Sequence, residues 1–337
     1  VVTSAGRRPS MADVAAVAGV SHQTVSRVLN GSPLVKAETR ERIEAAIREL
    51  GYRRNNAARQ LATARSGRIG MVSAHLALHG PSMISAAVQE AGRAAGYEVS
   101  LVGMIELSER SLHDAVDRLL DEDVEAIVVA VALREAQSIV ASLSLPIPVV
   151  LVQGVGAGTP MAAGVDQEAG AAAATSHLLD LGHRAVAHVS GPLDWVESGR
   201  RREGWRRAHE ERGLLPGPEI EGDWSAASGY RAGVRICASD EVTAVFAAND
   251  SMALGLLKAL HEHGRRVPDD VSVVGFDNVP EAEYFWPPLT TVNQEFAELG
   301  RRALELAIRA LGGEEAPVAD LLAPALVVRR STARPPS

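Results

Sequence analysis

From Ile69 onward the chain repeats one pattern: a short apolar run, a turn, then an amphipathic stretch. The runs Ile69–Ser73, Glu98–Val102, Ala126–Ala130, Val149–Val152, Ala185–Ser190, Ala244–Ala248 and Val271–Phe276 read as strands. Helical stretches lie between them, among them Met83–Ala95, Gln167–Leu181, Gly199–Arg212 and Ser251–His263. Near-continuous apolar strands separated by helices predict parallel sheets covered on both faces. The fold class expected for the body is therefore α/β. In such sheets ligands bind beyond the carboxyl ends of the strands. Polar groups stand at those ends: Asn249 and Asp250 after Ala248, and Asp277 and Asn278 after Phe276.

Several chemistries find no support. No Gly-x-Gly-x-x-Gly follows the first strand and no Gly-Lys-Ser/Thr phosphate loop occurs, so no nucleotide cofactor is expected. A Gly-x-Ser-x-Gly elbow is missing too, which removes the usual hydrolase signature. One cysteine, Cys237, excludes an internal disulfide and disfavours a cysteine metal site. His177, His183 and His188 are read as structural, because a helix, a loop and a strand do not bring them to one face. Residues 1–10 lack the apolar segment of a signal peptide, and no run approaches the ~18 apolar residues of a membrane helix. No membrane association and a cytoplasmic location are expected.

Charge separates the first residues from the rest. Residues 1–68 hold 12 Lys/Arg and 5 Asp/Glu, whereas the remainder holds 22 and 37. A basic head on an acidic body binds phosphate locally while the body stays soluble. Within that head, Ser10 and Asp13 form a capping-box pattern, and Val14, Val17 and Ala18 fall on one apolar face. Gly19 permits a turn with Val20 beneath it, and Ser21 is a natural N-cap for a second helix. Val25, Val28 and Leu29 face inward, leaving His22, Gln23, Ser26 and Arg27 outward. A third helix spans about Lys36–Leu50 and ends at Gly51, with Glu38–Arg42 and Glu44–Arg48 as i,i+4 pairs.

That outward set suits a DNA groove. Arg27 offers two hydrogen bonds to guanine and Gln23 pairs with adenine. His22 sits at the helix start, where helix-turn-helix proteins approach base edges. Ser21, Ser26 and Asn30 are placed for phosphate oxygens. The alternative is a three-helix protein-interaction module. The next stretch, Tyr52–Ala62, is basic and helix-compatible but has too few apolar residues to pack a core. It is either a solvated linker or a hinge helix that folds on DNA and drives Leu61 into the minor groove.

The run Val14–Asn30, the helix start Thr39-Arg40-Glu41-Arg42-Ile43 and the segment Ala58-Arg59-Gln60-Leu61-Ala62 resemble the LacI/GalR family of transcriptional regulators. The resemblance continues through Leu76–Ser82, Gly222–Ala226, Ala248–Gly255 and Pro287–Thr291, and so covers nearly the whole chain. It implies that His22, Gln23 and Arg27 read bases, that Leu61 is the minor-groove wedge, and that Asn55, in the hinge, contacts DNA. It also implies a periplasmic-binding-protein-like core of two doubly wound parallel-sheet subdomains joined by three crossovers. The expected division is a head over 1–54, a hinge helix and linker over 55–66, a core over 67–332 and a flexible tail over 333–337. Within the core, one subdomain takes about 67–165 with 296–323, the other 166–292 with 324–332.

The implied effector cleft suits a sugar. Arg201 offers a forked donor, Asp277 accepts, Asn249 does both, and Gln294 reaches in from a crossover. Trp224 and Phe296 present flat apolar surfaces, and His79 lies in the first body motif. Each has a plainer reading: the aromatics as core, Asn249-Asp250 as a helix cap, Arg201 as the partner of an acid such as Glu197. Some positions depart from relatives in the family. Gly154 stands where an acidic ligand contact is found and Ala74 where a serine is found, while His22 and Ala12 replace DNA-contacting tyrosines. Val327–Thr332 reads as a final strand, and the heptad helix that makes tetramers within the family is not seen after it.

The partners expected are double-stranded operator DNA, a small sugar effector that lowers operator affinity, and a second copy in a homodimer. No cofactor or metal is expected. A purine or phosphosugar corepressor is the alternative effector. A free sugar-binding transport protein fits less well, because of the basic head. An enzyme fits least, since no nucleophile, base and oxyanion site can be assembled.

Overall fold

The computed structural model describes residues 9–29, 32–52, 65–105, 108–133, 139–140, 145–155, 159–239, 241–314 and 321–336. The chain divides into two compact units, Val1–Ser66 and Gly67–Ser337. No described helix is long and apolar enough to cross a membrane.

The first unit is a bundle of α1 (Met11–Ala18), α2 (His22–Leu29) and α3 (Ala37–Leu50). Ser10 and Asp13 close the capping box at the start of α1: the Asp13 amide donates to Ser10 Oγ, and the Ser10 amide donates to Asp13 Oδ2 at 2.7 Å. Gly19 ends α1 at φ 63°, a conformation glycine adopts without steric cost. The Ser21 hydroxyl accepts from the Thr24 amide at 3.2 Å and caps α2. Val14, Ala15, Ala18, Val25, Val28, Ile43, Ala46 and Tyr52 form the core. Two expectations change here. Val17 is exposed and Ala15 takes its inward place, and Tyr52 belongs to this core rather than to a solvated segment. Among the described residues neither Glu38–Arg42 nor Glu44–Arg48 closes an ion pair. Arg40 instead donates to the Ser32 carbonyl at 2.7 Å.

The second unit holds two parallel sheets. The first contains β1 (Arg68–Ala74), β2 (Glu98–Met104), β3 (Ala126–Ala130), β4 (Val149–Val152) and β5 (Ala162–Ala163), in the order β2-β1-β3-β4-β5. It is flanked by α4 (His79–Ala95), α5 (Glu109–Asp121) and α10 (Phe296–Leu311). The second contains β6 (Ala187–Ser190), β7 (Glu219–Glu221), β8 (Ala244–Ala247) and β9 (Ser272–Val274), in the order β7-β6-β8-β9. Its helices are α6 (Gln167–Asp180), α7 (Val196–Glu210), α8 (Ala226–Ile236) and α9 (Asp250–Glu262). β10 (Thr291–Asn293) and β11 (Ala325–Val327) pair antiparallel beside it.

Every residue of β3 and β8 is buried, as expected for central strands covered on both faces. In both sheets the strand order reverses next to the first strand, at β1/β3 and at β6/β8. Such reversals open a crevice at the carboxyl ends. α8 and α9 cross so closely that a Cβ on Gly255 would lie 1.8 Å from the Ala226 carbonyl oxygen.

The end of the chain differs from expectation. The final strand is Ala325–Val327, and Arg329–Ala333 is held by irregular bonds instead. The Val273 amide donates to the Ser331 carbonyl at 2.8 Å, and the Ala333 amide donates to Ser272 Oγ at 3.0 Å. Ala333 was expected in a flexible tail but is docked on the second sheet's lobe. His183 contacts its carbonyl oxygen at 3.0 Å and His177 contacts Thr332 Oγ1 at 2.9 Å. His188 stacks on Trp205 and Phe246, with ring centroids 5.2 and 4.8 Å away.

Candidate functional site

On the head, α2 presents His22, Gln23 and Arg27 as exposed side chains, with Ser26 half-buried beside them. Val25 and Val28 point inward and anchor that face. Asn30, Asn55 and Leu61 lie outside the described residues. The Ser21 hydroxyl, assigned to phosphate from sequence, is engaged in the α2 cap and lies 2.8 Å from Thr24 Oγ1.

In the body, the carboxyl ends of both sheets face one cleft. His79, Gln153, Trp195, Glu197, Arg201, Trp224, Asn249, Asp277 and Gln294 line it, with Leu78–Pro81 at one side. Six of the seven effector candidates are thus brought together. Phe296 is not among the lining residues. It starts α10 inside the first lobe's core and meets the cleft through His79, whose ring is 5.8 Å away edge-on.

Four side chains form a closed polar ring. Arg201 Nε donates to Gln167 Oε1 at 2.9 Å, and Gln167 Nε2 donates to Gln294 Oε1 at 2.8 Å. Gln294 Nε2 donates to Asp277 Oδ1 at 2.6 Å, and Asp277 Oδ1 lies 3.8 Å from Arg201 Nη2. Arg201 also donates to the Ala248 carbonyl and stands 3.9 Å over the Phe276 ring centroid. Asp277, not Glu197, is therefore its ion-pair partner. Burial pushes the Asp277 carboxyl up from its ordinary range, against the pull of Arg201, His79 and Gln294. Asp277 sits at φ 111°, a strained backbone state of the kind that gathers at functional sites.

Asn249 lines the cleft but is already occupied. Its Oδ1 accepts from the Met252 amide at 2.8 Å, capping α9, and its Nδ2 donates to the Trp224 carbonyl at 3.0 Å. The plainer reading of Asn249 as a cap is thus met, and it positions Trp224 as well. The Trp224 indole N–H is buried with no partner among the described residues. Gly191 is needed beneath it, since a Cβ there would lie 2.2 Å from the indole.

Gln153, Trp195, Glu197 and Gln167 join the site without being marked as site residues by the sequence pattern. The strand-end rule flags Gln153, which directly follows β4. Trp195 and Glu197 were hidden because α7 was expected to begin at Gly199. It begins at Val196, and its first turn is stitched to the first lobe. There the Val196 amide donates to the Ala132 carbonyl at 2.9 Å and the Gly154 amide donates to Glu197 Oε1 at 2.8 Å. Burial raises the Glu197 carboxyl, while the amide bonds and Arg201 act the other way.

Comparison with known proteins decides the family. Residues 10–55 match the model for bacterial regulatory proteins of the lacI family, and residues 175–332 match that for a periplasmic binding protein-like domain. The lactose operon repressor of Escherichia coli (strain K12) is 37% identical over 326 residues, covering 96% of this chain and 90% of that protein. The chain belongs to the lacI family of bacterial regulatory proteins.

Among solved structures, this lacI-family chain superposes on the lac repressor dimer bound to operator and the anti-inducer ONPF. The TM-score is 0.84 at 36% identity, covering 97% of this chain and all of that one. It also matches a complex of the transcriptional regulator CelR with cellobiose, with a TM-score of 0.70 at 32% identity over 96% of this chain and all of that one. The expected fold class, a helix-turn-helix head on a periplasmic-binding-protein-like core, is the fold of this family member.

Next to the cleft, the lacI-family core buries one acid whose titration is measurable. Asp250 Oδ1 and the Thr291 hydroxyl share a 2.6 Å hydrogen bond, and the Val279 amide donates to Oδ2 at 2.9 Å. Burial, then the charge of Asp277, pushes the Asp250 carboxyl up to about 8. The folded state therefore keeps a proton that the unfolded chain releases near pH 4. Asp250 favours folding most below pH 4 and loses that contribution as pH rises toward 8, by about 1.4 kcal/mol per pH unit. Asp250→Asn keeps an acceptor for Val279 and removes the titration. Its melting temperature relative to the parent is expected to climb between pH 5 and pH 8 and level off above. A difference that stays flat with pH would show that Asp250 is ionised throughout.

Proposed function

We propose that this chain is a dimeric transcriptional repressor that a small sugar, a galactoside or a related disaccharide, releases from operator DNA. The observation that carries the reading is the ring of Arg201, Gln167, Gln294 and Asp277 at the strand ends, with the unpartnered Trp224 N–H beside it. Sugar hydroxyls both donate and accept, and a cleft that mixes such groups with two indoles suits them. The head over 1–54 reads bases through His22, Gln23 and Arg27. Residues 55–66 act as the hinge, with Leu61 as the wedge.

Tyr284 and Trp286 expose 82% and 91% of their surface, and exposed rings of this kind favour a partner surface for a second copy. Two copies supply the two heads that a two-fold operator requires. The protein acts in the cytoplasm, beside its DNA.

Fluorescence anisotropy with the full chain tests this. A palindromic operator duplex is expected to bind roughly 10³-fold or more tighter than a scrambled duplex. Galactosides are expected to lower that affinity, and operator lowers sugar affinity by the same factor. Equal binding of both duplexes removes the repressor reading. Tighter operator binding with a purine or phosphosugar moves the protein to the corepressor class.

A further inference from the structure

The body begins at a glycine whose backbone can turn freely and is nonetheless held still. Gly67 sits at φ 68°, in the left-handed region that glycine enters without steric cost. A Cβ there would meet nothing within 4 Å, so no close packing on that side restrains it. The stretch read as the hinge, 55–66, ends immediately before it. Behind it, β1 is buried from Ile69 to Ala74 and therefore stiff.

Both backbone groups of Gly67 are tied, one toward each neighbouring strand. Its carbonyl accepts from the Glu98 amide at 2.9 Å, at the start of β2. Its amide donates to Glu125 Oε1 at 2.6 Å, just before β3. At the next residue the Glu125 amide donates to the Arg68 carbonyl at 2.9 Å. The Arg68 side chain donates to Glu98 Oε2 at 3.3 Å and to the Glu122 carbonyl at 3.4 Å. These bonds differ in weight. The Arg68 and Glu98 side chains keep 35% and 63% of their surface exposed, and ion pairs in that setting contribute little. The two bonds from the Glu98 and Glu125 amides are backbone bonds that many sequences can make. The bond to the Glu125 carboxylate is short, half-buried and charge-assisted, roughly twice as strong as a neutral one.

We propose that Glu125 is a positioning residue for the hinge: its carboxylate locks the Gly67 joint, so that the chain leaves the first lobe in one fixed direction. This rests on the reading of the chain as a dimeric repressor hinged over 55–66, and names the body residue that aims the hinge. Two heads on one two-fold operator act as linked modules. The second head binds at an effective concentration set by how far its tether swings. An unlocked glycine widens that swing and dilutes the second head, whereas a locked one concentrates it at its half-site. The contact of one head with one half-site does not depend on the joint.

Fluorescence anisotropy with the full chain tests this on a palindromic operator duplex and on a duplex with one half-site scrambled. Glu125→Ala is expected to weaken palindrome binding about tenfold and to change binding to the single half-site by less than about twofold. Glu125→Gln keeps a side-chain oxygen for the Gly67 amide and is expected to stay within about threefold of the parent on both duplexes. Palindrome binding unchanged by Glu125→Ala overturns the proposal. Half-site binding that falls as far as palindrome binding also overturns it, by showing a damaged fold instead of a freed joint. A glutamine variant as weak as the alanine variant overturns it too, by assigning the effect to charge. A parent that binds the palindrome no tighter than the single half-site overturns the dimeric repressor reading itself, and the role of the joint with it.

Discussion

Arg201→Ala is expected to abolish the effector response, moving the sugar concentration needed for operator release by at least about 100-fold. Arg201 is 4% exposed and joins Gln167, Asp277, the Ala248 carbonyl and the Phe276 ring. Alanine removes the fork and strands the Asp277 carboxylate in a site where burial already raises its protonation. Breaking a buried pair from one side costs about 3–5 kcal/mol, so the body is expected to melt earlier. Arg201→Lys keeps the charge and separates the two effects. Lysine has no planar fork to bond Gln167 and Ala248 together, so the response is expected to stay weak while much of the stability returns. The measurement is sugar titration of an operator complex followed by anisotropy, alongside thermal melting. A response midpoint unchanged in both variants removes Arg201 from the effector site.

Arg27→Ala is expected to weaken operator binding by about 1–3 kcal/mol, or about 5- to 150-fold, and to relax specificity at one base pair. The side chain is exposed on α2, between Ser26 and the buried Val28. Its loss leaves the head's core of Val14, Val25 and Ile43 untouched, so the melting of the head is expected to change little. Competition against operators carrying each base in turn is the measurement. Weakening that is equal for every sequence would reassign Arg27 to the phosphate backbone.

The fold was legible where burial writes itself into sequence. Ala126–Ala130 matches β3 residue for residue, because a strand covered on both faces must be apolar throughout, and Val149–Val152 matches β4, where buried and half-buried residues alternate. β5 and β7 escaped notice: a two-residue strand and Glu219–Glu221 at a sheet edge carry no such run. On α1, apolar character points Val17 inward, yet Ala15 lies beside Val14 on the face that meets α2 and α3. Hydropathy ranks the larger residue first; packing does not. In the cleft, strand-end position identified Asn249 and Asp277 but not what each does there. Whether an amide caps a helix or faces a ligand depends on long-range neighbours, and only the fold reveals that Asn249 holds Trp224 in place. Sequence proximity suggests Glu197 as a partner for Arg201, whereas its bond is to Gly154, 43 residues away in sequence.

On the proposed reading, the four-membered ring of Arg201, Gln167, Gln294 and Asp277 makes effector recognition an exchange rather than an addition. Most of its donors and acceptors are already matched, so an arriving hydroxyl gains a bond mainly by breaking one. Gln167 lies just after the crossover at Val165, and Gln294 lies just before α10, on the chain's way back into the first lobe. Each bond traded away is therefore a restraint released where the chain passes between lobes. With each bond worth about 0.5–1.5 kcal/mol, releasing two or three shifts the balance between lobe arrangements by roughly one to three orders of magnitude. Such a protein measures its ligand by what the ligand unfastens.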